Sequence, residues 1–197
     1  CTDILSLVLA TMSAMETAET LAQVLAITRI KKRGLSQPDR VQVLLDSADP
    51  REALADIAGP SLLDDLALSQ AREDVDNWLS QSMGLVSVLA DQYPARLRDV
   101  CEAPALLYYQ GDLTPADQGV CIVGSRDADD DALRAADYVA RAVVEAGLTV
   151  VSGLAAGIDT AAHTAALDAG GRTVAVMGTG LERTYPATNK NLRERIV

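Results

Sequence analysis

The sequence predicts an α/β fold, a parallel sheet flanked by helices, that follows a small all-α domain. Three observations support this prediction: helical spacing of apolar residues before residue 83, short β-branched runs after residue 112, and helical segments between those runs. We therefore expect a helical domain over 1–82, a connector over 83–112 and an α/β domain over 113–197. The parallel sheet is expected to be shortened, because only three strand-like runs precede Val197.

The helical domain is predicted from apolar residues spaced three or four apart, as in residues 4–12 and 21–27. Breaks at 34–38, Asp49-Pro50 and Gly59-Pro60 divide the segment into four or five short helices. A bundle of this size is typical both of DNA-binding helix–hairpin–helix modules and of protein-docking modules. Its acidic balance and the lack of a Gly-x-Gly hairpin leave docking or scaffolding at least as well supported.

The connector and the α/β domain follow from shorter patterns. Extended pieces at 86–89 and 105–109 are separated by Tyr93-Pro94 and Ala103-Pro104, and we expect this stretch to pack on the α/β core. Beyond it, β-branched runs alternate with segments of helical period, which predicts a right-handed, three-layer strand–helix repeat. The predicted strands are 120–123, 148–151 and 173–177, and the predicted helices are 133–146 and 160–169.

Glycine follows each predicted strand at once. The three loops are Gly124-Ser125-Arg126, the block from Ser152-Gly153 to Gly157, and Gly178-Thr179-Gly180. Parallel strand ends converge on one crevice, where glycine lets backbone amides approach a ligand and helix N-termini favour phosphate. Tight turns explain any one of these loops equally well, but three in register favour an anion-binding site.

Single residues near these loops have two interpretations each. Arg126 is placed to fork onto a phosphate, or it pairs with the acidic residues at 127–131. Asn189 and Lys190 suit a hydrogen bond and a phosphate contact, or they belong to a surface turn before a final helix. The basic run 31–33 fits a solvated helix end about as well as a phosphate contact.

A hydrolase triad of Ser152, Asp159 and His163 is considered and not favoured. Ser152 lacks the Gly-x-Ser-x-Gly elbow, and Asp159 stands where a helix needs an N-cap, with His163 four residues later on the same face. A structural Asp–His pair that orders the loop accounts for both residues. The phosphate loop and dinucleotide fingerprints are also missing, so we expect no ATP or NAD cofactor.

Composition limits the remaining classes. The net charge of −11 opposes non-specific binding to nucleic acid, although Arg183, Lys190, Arg193 and Arg195 leave a basic edge near the C-terminus. Aromatic residues are only 3%, so a nucleic acid would be held mainly by its backbone. Three widely spaced cysteines indicate neither a zinc site nor a disulfide framework, and no membrane-spanning run is seen, so a cytoplasmic protein without metal is expected.

From residue 83 onward the sequence resembles the DNA-processing protein A (DprA/Smf) family of bacterial transformation and recombination mediators. The resemblance rests on the order and spacing of several blocks: Asp91-Gln92-Tyr93-Pro94 with Pro104 and Leu107, Val123 to Arg126, Ser152 to Asp159 with His163, Ala166-Leu167, Gly178 to Leu181, and Tyr185-Pro186 with Asn189. The N-terminal helices look like the small SAM-like or helix–hairpin–helix-like domain of this family.

The resemblance implies a Rossmann-like core that binds single-stranded DNA without cutting it, protects it and helps to load the RecA recombinase. By position in the family motifs, DNA contacts would come from ten residues: Gly124, Ser125, Arg126, Ser152, Gly153, Gly157, Gly178, Gly180, Asn189 and Lys190. A homodimer is also compatible with the family. This sequence departs from the family pattern at Ala156, where a basic residue is usual, and at the acidic run 129–131. A small-nucleotide-binding enzyme or sensor, with Asp159 or Ser152 as its reactive group, is the alternative.

Overall fold

The computed structural model describes residues 16–47, 49–59 and 66–197, and the chain divides into two compact units, Cys1–Pro115 and Ala116–Val197. The helix expected at 4–12 lies outside the described residues. Each unit has its own cluster of buried apolar side chains.

The described part of the first unit contains four helices before residue 83: α1 Ala18–Arg29, α2 Gln37–Asp46, α3 Pro50–Ala58 and α4 Leu66–Ser80. Local sequence signals account for where three of them begin. Thr17 caps α1, Ser36 and Asp39 form a capping box at the start of α2, and Asp49 caps α3, whose first residue is Pro50. Four of the four or five expected helices are thus found in the described residues.

Two basic side chains of this unit donate hydrogen bonds to carbonyl oxygens at the C-terminal ends of helices. Arg40 is buried and donates to the carbonyl oxygens of Ile27 and Ile30, both at 2.6 Å, at the C-terminal end of α1. Lys32, from the basic run, donates to the carbonyl oxygen of Ile57 at 3.1 Å, in the last turn of α3. Cations at these positions satisfy carbonyls that have no partner inside their own helix.

Strands β1 Gly84–Ser87 and β2 Leu106–Tyr109 pair antiparallel, with the one-turn helix α5 Ala95–Arg98 between them. The sequence placed these residues in a connector on the α/β core, whereas they lie in the first unit, and several of their side chains belong to its apolar cluster. Pairing of the strands accounts for this position, because two short strands with buried faces complete a core that the helices begin.

Tyr93 fixes the turn between β1 and β2. The side chain is fully buried, its hydroxyl donates to the carbonyl oxygen of Pro104 at 2.8 Å, and burial raises its pKa to about 12. Arg98 lies over the ring of Tyr93 and donates to the carbonyl oxygens of Val88 and Ala90. The block Asp91 to Pro94 therefore includes a buried anchor of the hairpin.

The second unit is the predicted α/β domain. Its elements are β3 Gly119–Cys121, α6 Asp130–Glu145, β4 Thr149–Ser152, α7 Ile158–Asp168, β5 Thr173–Ala175, a 3₁₀ turn Ala187–Asn189 and α8 Lys190–Ile196. The strands are parallel and lie in the order β3-β4-β5, with Cys121 paired to Val151 and Ser152 paired to Ala175. The α/β prediction is confirmed.

The amino-terminal edge of this sheet is closed by Asp117. Its carboxylate accepts a hydrogen bond from Thr149 at 2.5 Å and one from Arg172 at 2.8 Å. Although burial alone would raise the pKa of Asp117, these two hydrogen bonds lower it. All three strands are tied together at this edge, and the carboxyl edge is where the loops lie.

Candidate functional site

The loops after β3 and β4 are packed directly on each other. The amide of Ile158, at the start of α7, donates to the carbonyl oxygen of Ser125 at 3.1 Å. Gly157 has φ +75°, and a Cβ there would lie 2.2 Å from that oxygen. Only glycine allows this approach, so α7 begins against the backbone of Ser125 and Arg126.

The third loop lies at the same edge of the sheet. The amide of Val176, which follows β5, donates to the carbonyl oxygen of Ser152 at 2.8 Å. Arg193 of α8 then donates to the carbonyl oxygen of Leu181 and to the hydroxyl of Thr184. The three glycine loops therefore share the carboxyl edge of one sheet, as the sequence predicted.

Ser152 is buried, and its hydroxyl donates to the carbonyl oxygen of Ile122 at 2.6 Å. This hydrogen bond ties β4 to the end of β3. The resemblance placed Ser152 among the DNA contacts, but burial and this bond give it the role of holding the two strand ends together.

The carboxylate of Asp159 binds two backbone amides of the glycine loop that was predicted to bind an anion. Its buried carboxylate accepts from the amides of Gly153 at 3.1 Å and Ala155 at 3.2 Å. The cap position of α7 is taken by Gly157, so the expected N-cap at Asp159 is wrong. The side chain turns back to the preceding loop, where the amides have no strand partner.

Asn189 is also buried and internal. Its amide nitrogen Nδ2 donates to the carbonyl oxygen of Leu154 at 3.0 Å and to the hydroxyl of Thr160 at 2.8 Å. It thereby fixes the loop after β4 to the start of α8. Lys190, the next residue, is exposed, and its nearest carboxylate is that of Glu194 at 4.0 Å. Of the two residues, Lys190 alone presents its polar group to solvent.

Arg126 is exposed and makes no ion pair with any described residue of the chain. Two of the neighbouring acidic residues bind elsewhere: Asp129 caps α6 through the amide of Ala132, and Asp131 pairs with Arg134. Ser125 accepts the amide of Asp127 at 3.1 Å, which closes a tight turn. The loop after β3 thus presents a fixed backbone with one available guanidinium.

Gly178 and Gly180 are exposed, and a Cβ at either would meet nothing within 4 Å. Their loop closes through Thr179, whose hydroxyl donates to the carbonyl oxygen of Arg183 at 3.1 Å. The side chain of Arg183 is exposed and, like that of Arg126, has no ion-pair partner in the part of the chain that the structure describes. It is a second cation at this edge, and its place in the basic C-terminal segment was the sequence signal for it.

The hydrolase triad does not form, because Ser152 and His163 have other partners. His163 is fully buried, and its Nδ1 lies 2.7 Å from the hydroxyl oxygen of Thr173, which donates its own hydrogen to Val150. His163 therefore carries its hydrogen on Nδ1, and Nε2 has no hydrogen-bond partner among the described residues. The expected Asp–His pair is replaced by two separate contacts, one to the loop and one to β5.

Within the described ranges, no three His, Cys, Asp or Glu side chains come together as metal ligands. No helix in the same ranges combines the length and apolar character needed to cross a bilayer. Cys101 and Cys121 are exposed free thiols.

Comparison with known proteins identifies close relatives. The family model described as DNA recombination-mediator protein A matches residues 84–197. DNA processing protein DprA of Streptococcus pneumoniae is 39% identical over 178 residues, which are 86% of this chain and 63% of that protein. Protein Smf of Synechocystis is 44% identical over 109 residues, which are 53% of this chain and 27% of that protein.

The X-ray structure of DNA processing protein A from Streptococcus pneumoniae matches with a TM-score of 0.66 and 33% sequence identity, over 92% of this chain and 64% of that one. This chain therefore spans less than two thirds of the length of these relatives. The Rossmann-like fold and the resemblance stated above are confirmed. Because the family model covers more than half of the chain, the protein belongs to the DNA recombination-mediator protein A family.

Proposed function

We propose that the carboxyl edge of the parallel sheet binds single-stranded DNA by its phosphates, and that the protein acts as a recombination mediator without cutting the strand. The observation that carries the proposal is Arg126, an exposed guanidinium without an ion pair among the described residues, on a loop that α7 holds in place. A guanidinium in a fixed position can fork onto a phosphate with little loss of conformational freedom.

The contacts divide into two groups. Phosphates would meet the exposed residues Gly124, Ser125, Arg126, Gly178, Gly180 and Lys190, and we add Arg183 to this group because it is exposed at the same edge. Ser152, Gly153, Gly157 and Asn189 would act behind them, because their polar groups or close packing fix the loops. The proposed site therefore consists of an exposed group of residues that carries the cations and an inner group whose hydrogen bonds and packing hold the loops in place.

The acidic surface is compatible with this site if the field near the loops differs from the global one. Ion pairing already occupies Asp131 and Asp168, whereas Arg126 and Arg183 have no such partner in the described residues. Because the overall charge of −11 repels phosphate, the protein should attract DNA only weakly over long distances, and the salt dependence of binding should reflect the few cations that contact phosphates.

The names of the relatives, DNA processing protein and recombination mediator, are consistent with a non-enzymatic role. RecA as a partner, a homodimer and a cytoplasmic location remain part of the proposal. Nothing in the loops supplies an activated nucleophile: the Ser152 hydroxyl donates to a carbonyl, and the Asp159 carboxylate is held by two amides.

Arg126→Ala is expected to weaken binding of a labelled oligo-dT by about 1–3 kcal/mol and to reduce the slope of log affinity against log salt by about 1. Arg126→Lys should recover part of the affinity, since it keeps the charge and loses the fork. Fluorescence anisotropy at two salt concentrations measures both effects.

Arg141→Ala is the matched control, because Arg141 lies farther along α6, pairs with Asp137 and carries the same charge. Its affinity should equal that of the wild type. Equal affinities for Arg126→Ala and wild type would refute the proposed site. Saturable binding of a mononucleotide that competes with the oligonucleotide would instead favour the small-nucleotide alternative.

A further inference from the structure

Tyr185 places an aromatic ring in solvent beside the glycine loops. It is 67% exposed, and it is one of two tyrosines in the α/β unit, the other being Tyr138 on α6. Aromatic residues make up only 3% of the chain. The exposure of this ring is therefore not the result of a high aromatic content.

The backbone around Tyr185 is anchored on both sides. Before it, the hydroxyl of Thr184 accepts from Arg193 at 3.2 Å. After it, the amide of Asn189 donates to the carbonyl oxygen of Pro186 at 3.0 Å, and the Asn189 side chain is bonded to the carbonyl oxygen of Leu154 in the loop after β4. The segment that carries Tyr185 is thus fastened to the loop that borders the proposed phosphate site.

Two more apolar side chains are exposed at the same edge. Val123 is 70% exposed and lies two residues after β3, and Val176 is 65% exposed and directly follows β5. Hydrogen bonds continue the parallel pairing to this level, from Ile122 to Val151 and from Val176 to Ser152. By this register, Val123 and Val176 flank Gly153 on either side. The edge therefore offers apolar surface next to its cationic groups.

We propose that Tyr185 stacks on a nucleobase of the bound strand, with Val123 or Val176 as further apolar contact, while Arg126 and Arg183 hold phosphates. The inference rests on the proposed function and adds a contact to the bases. An aromatic face stacks on any base, but only where the base is not already stacked inside a duplex. Tyr185 would then favour single-stranded over double-stranded DNA without distinguishing one base sequence from another.

The experiment compares Tyr185→Ala, Tyr185→Phe and Tyr138→Ala in the full chain. Each is titrated with labelled oligo-dT and with an abasic oligonucleotide of equal length, which has the same phosphates and no bases. Tyr185→Ala should bind oligo-dT roughly 5- to 150-fold more weakly than wild type. Tyr185→Phe keeps the ring and should bind as wild type does. On the abasic strand, all four proteins should be equal.

Tyr138→Ala is the matched control, because Tyr138 is 75% exposed in the same unit and lies on a helix rather than on a loop. The inference fails if Tyr185→Ala binds oligo-dT as wild type does, if it loses affinity equally for the abasic strand, or if Tyr138→Ala loses as much. If Arg126→Ala loses oligo-dT affinity as expected while any of these results is obtained, the phosphate site is supported and only the stacking contact is refuted.

Discussion

Arg40 shows how one buried cation can fix the end of a helix. Its guanidinium donates to the carbonyl oxygens of Ile27 and Ile30 at 2.6 Å. Charge-assisted hydrogen bonds in a buried setting contribute more than neutral ones, and the carbonyls at a helix end have no other partner within the helix. Arg40 therefore stabilises the exit of α1 and the turn toward α2.

Arg40→Met keeps much of the aliphatic volume and removes both donors, so the free energy of unfolding should fall by about 2–4 kcal/mol. Urea unfolding followed by Trp78 fluorescence measures the loss, because Trp78 is the single tryptophan and lies in the same unit. Arg51→Ala, an exposed arginine on α3, is the control and should change stability by less than about 0.5 kcal/mol. If Arg40→Met were as stable as this control, the helix-end role would be wrong.

At the scale of elements, the junction between α7 and the loop after β3 positions Arg126. A Cβ at Gly157 would lie 2.2 Å from the carbonyl oxygen of Ser125 and 2.9 Å from that of Arg126. Since these are backbone atoms, they cannot rotate away. A side chain at Gly157 would therefore force either the start of α7 or the loop that carries Arg126 to move.

Gly157→Ala should reduce oligo-dT affinity although it removes no charge, because the loop that carries Arg126 is displaced. Gly147→Ala is the matched control: Gly147 also has a positive φ, +72°, but a Cβ there meets nothing within 4 Å. Both variants carry backbone strain of about 1–2 kcal/mol, so thermal denaturation should show a larger loss for Gly157→Ala. Equal DNA affinity in the two variants would show that the junction does not position the site.

The elements of the α/β unit were predictable, because β-branched runs, helical period and glycine after each strand are local signals. The strands, α6 and α7 fall within a few residues of their predicted positions. The roles of Ser152, Asp159 and Asn189 were not predictable, since each side chain bonds to a backbone group that only the fold brings close. The place of the hairpin was missed for the same reason, because β1 and β2 pair across an intervening turn, α5 and loop.

For the whole molecule, acid stability should depend on His163. Burial lowers its pKa to about 4, against an ordinary value of 6.5, and Asp159 opposes the shift only in part. The unfolded chain therefore binds a proton between about pH 6.5 and 4 that the folded chain does not, so stability falls as the pH falls through that window. Carboxylates with a lowered pKa, such as Asp117, lose their contribution only at lower pH.

Between pH 7 and pH 5, His163 should lower the free energy of unfolding of the α/β unit by about 2 kcal/mol. His163→Leu should remove this slope, whatever its effect on stability at pH 7. Urea unfolding monitored by circular dichroism at several pH values provides the comparison. A slope in His163→Leu as steep as in wild type would show that another group titrates.

The carboxylate of Asp159 holds the loop after β4 in shape when no ligand is bound. A cradle of free amides would be incomplete until an anion arrived, and part of the binding energy would go into ordering it. Here the chain supplies that anion itself, at 3.1 Å and 3.2 Å from two amides of the loop. The chain's own carboxylate thus holds this loop in one shape, so a strand bound at the proposed site would require no refolding of the loop.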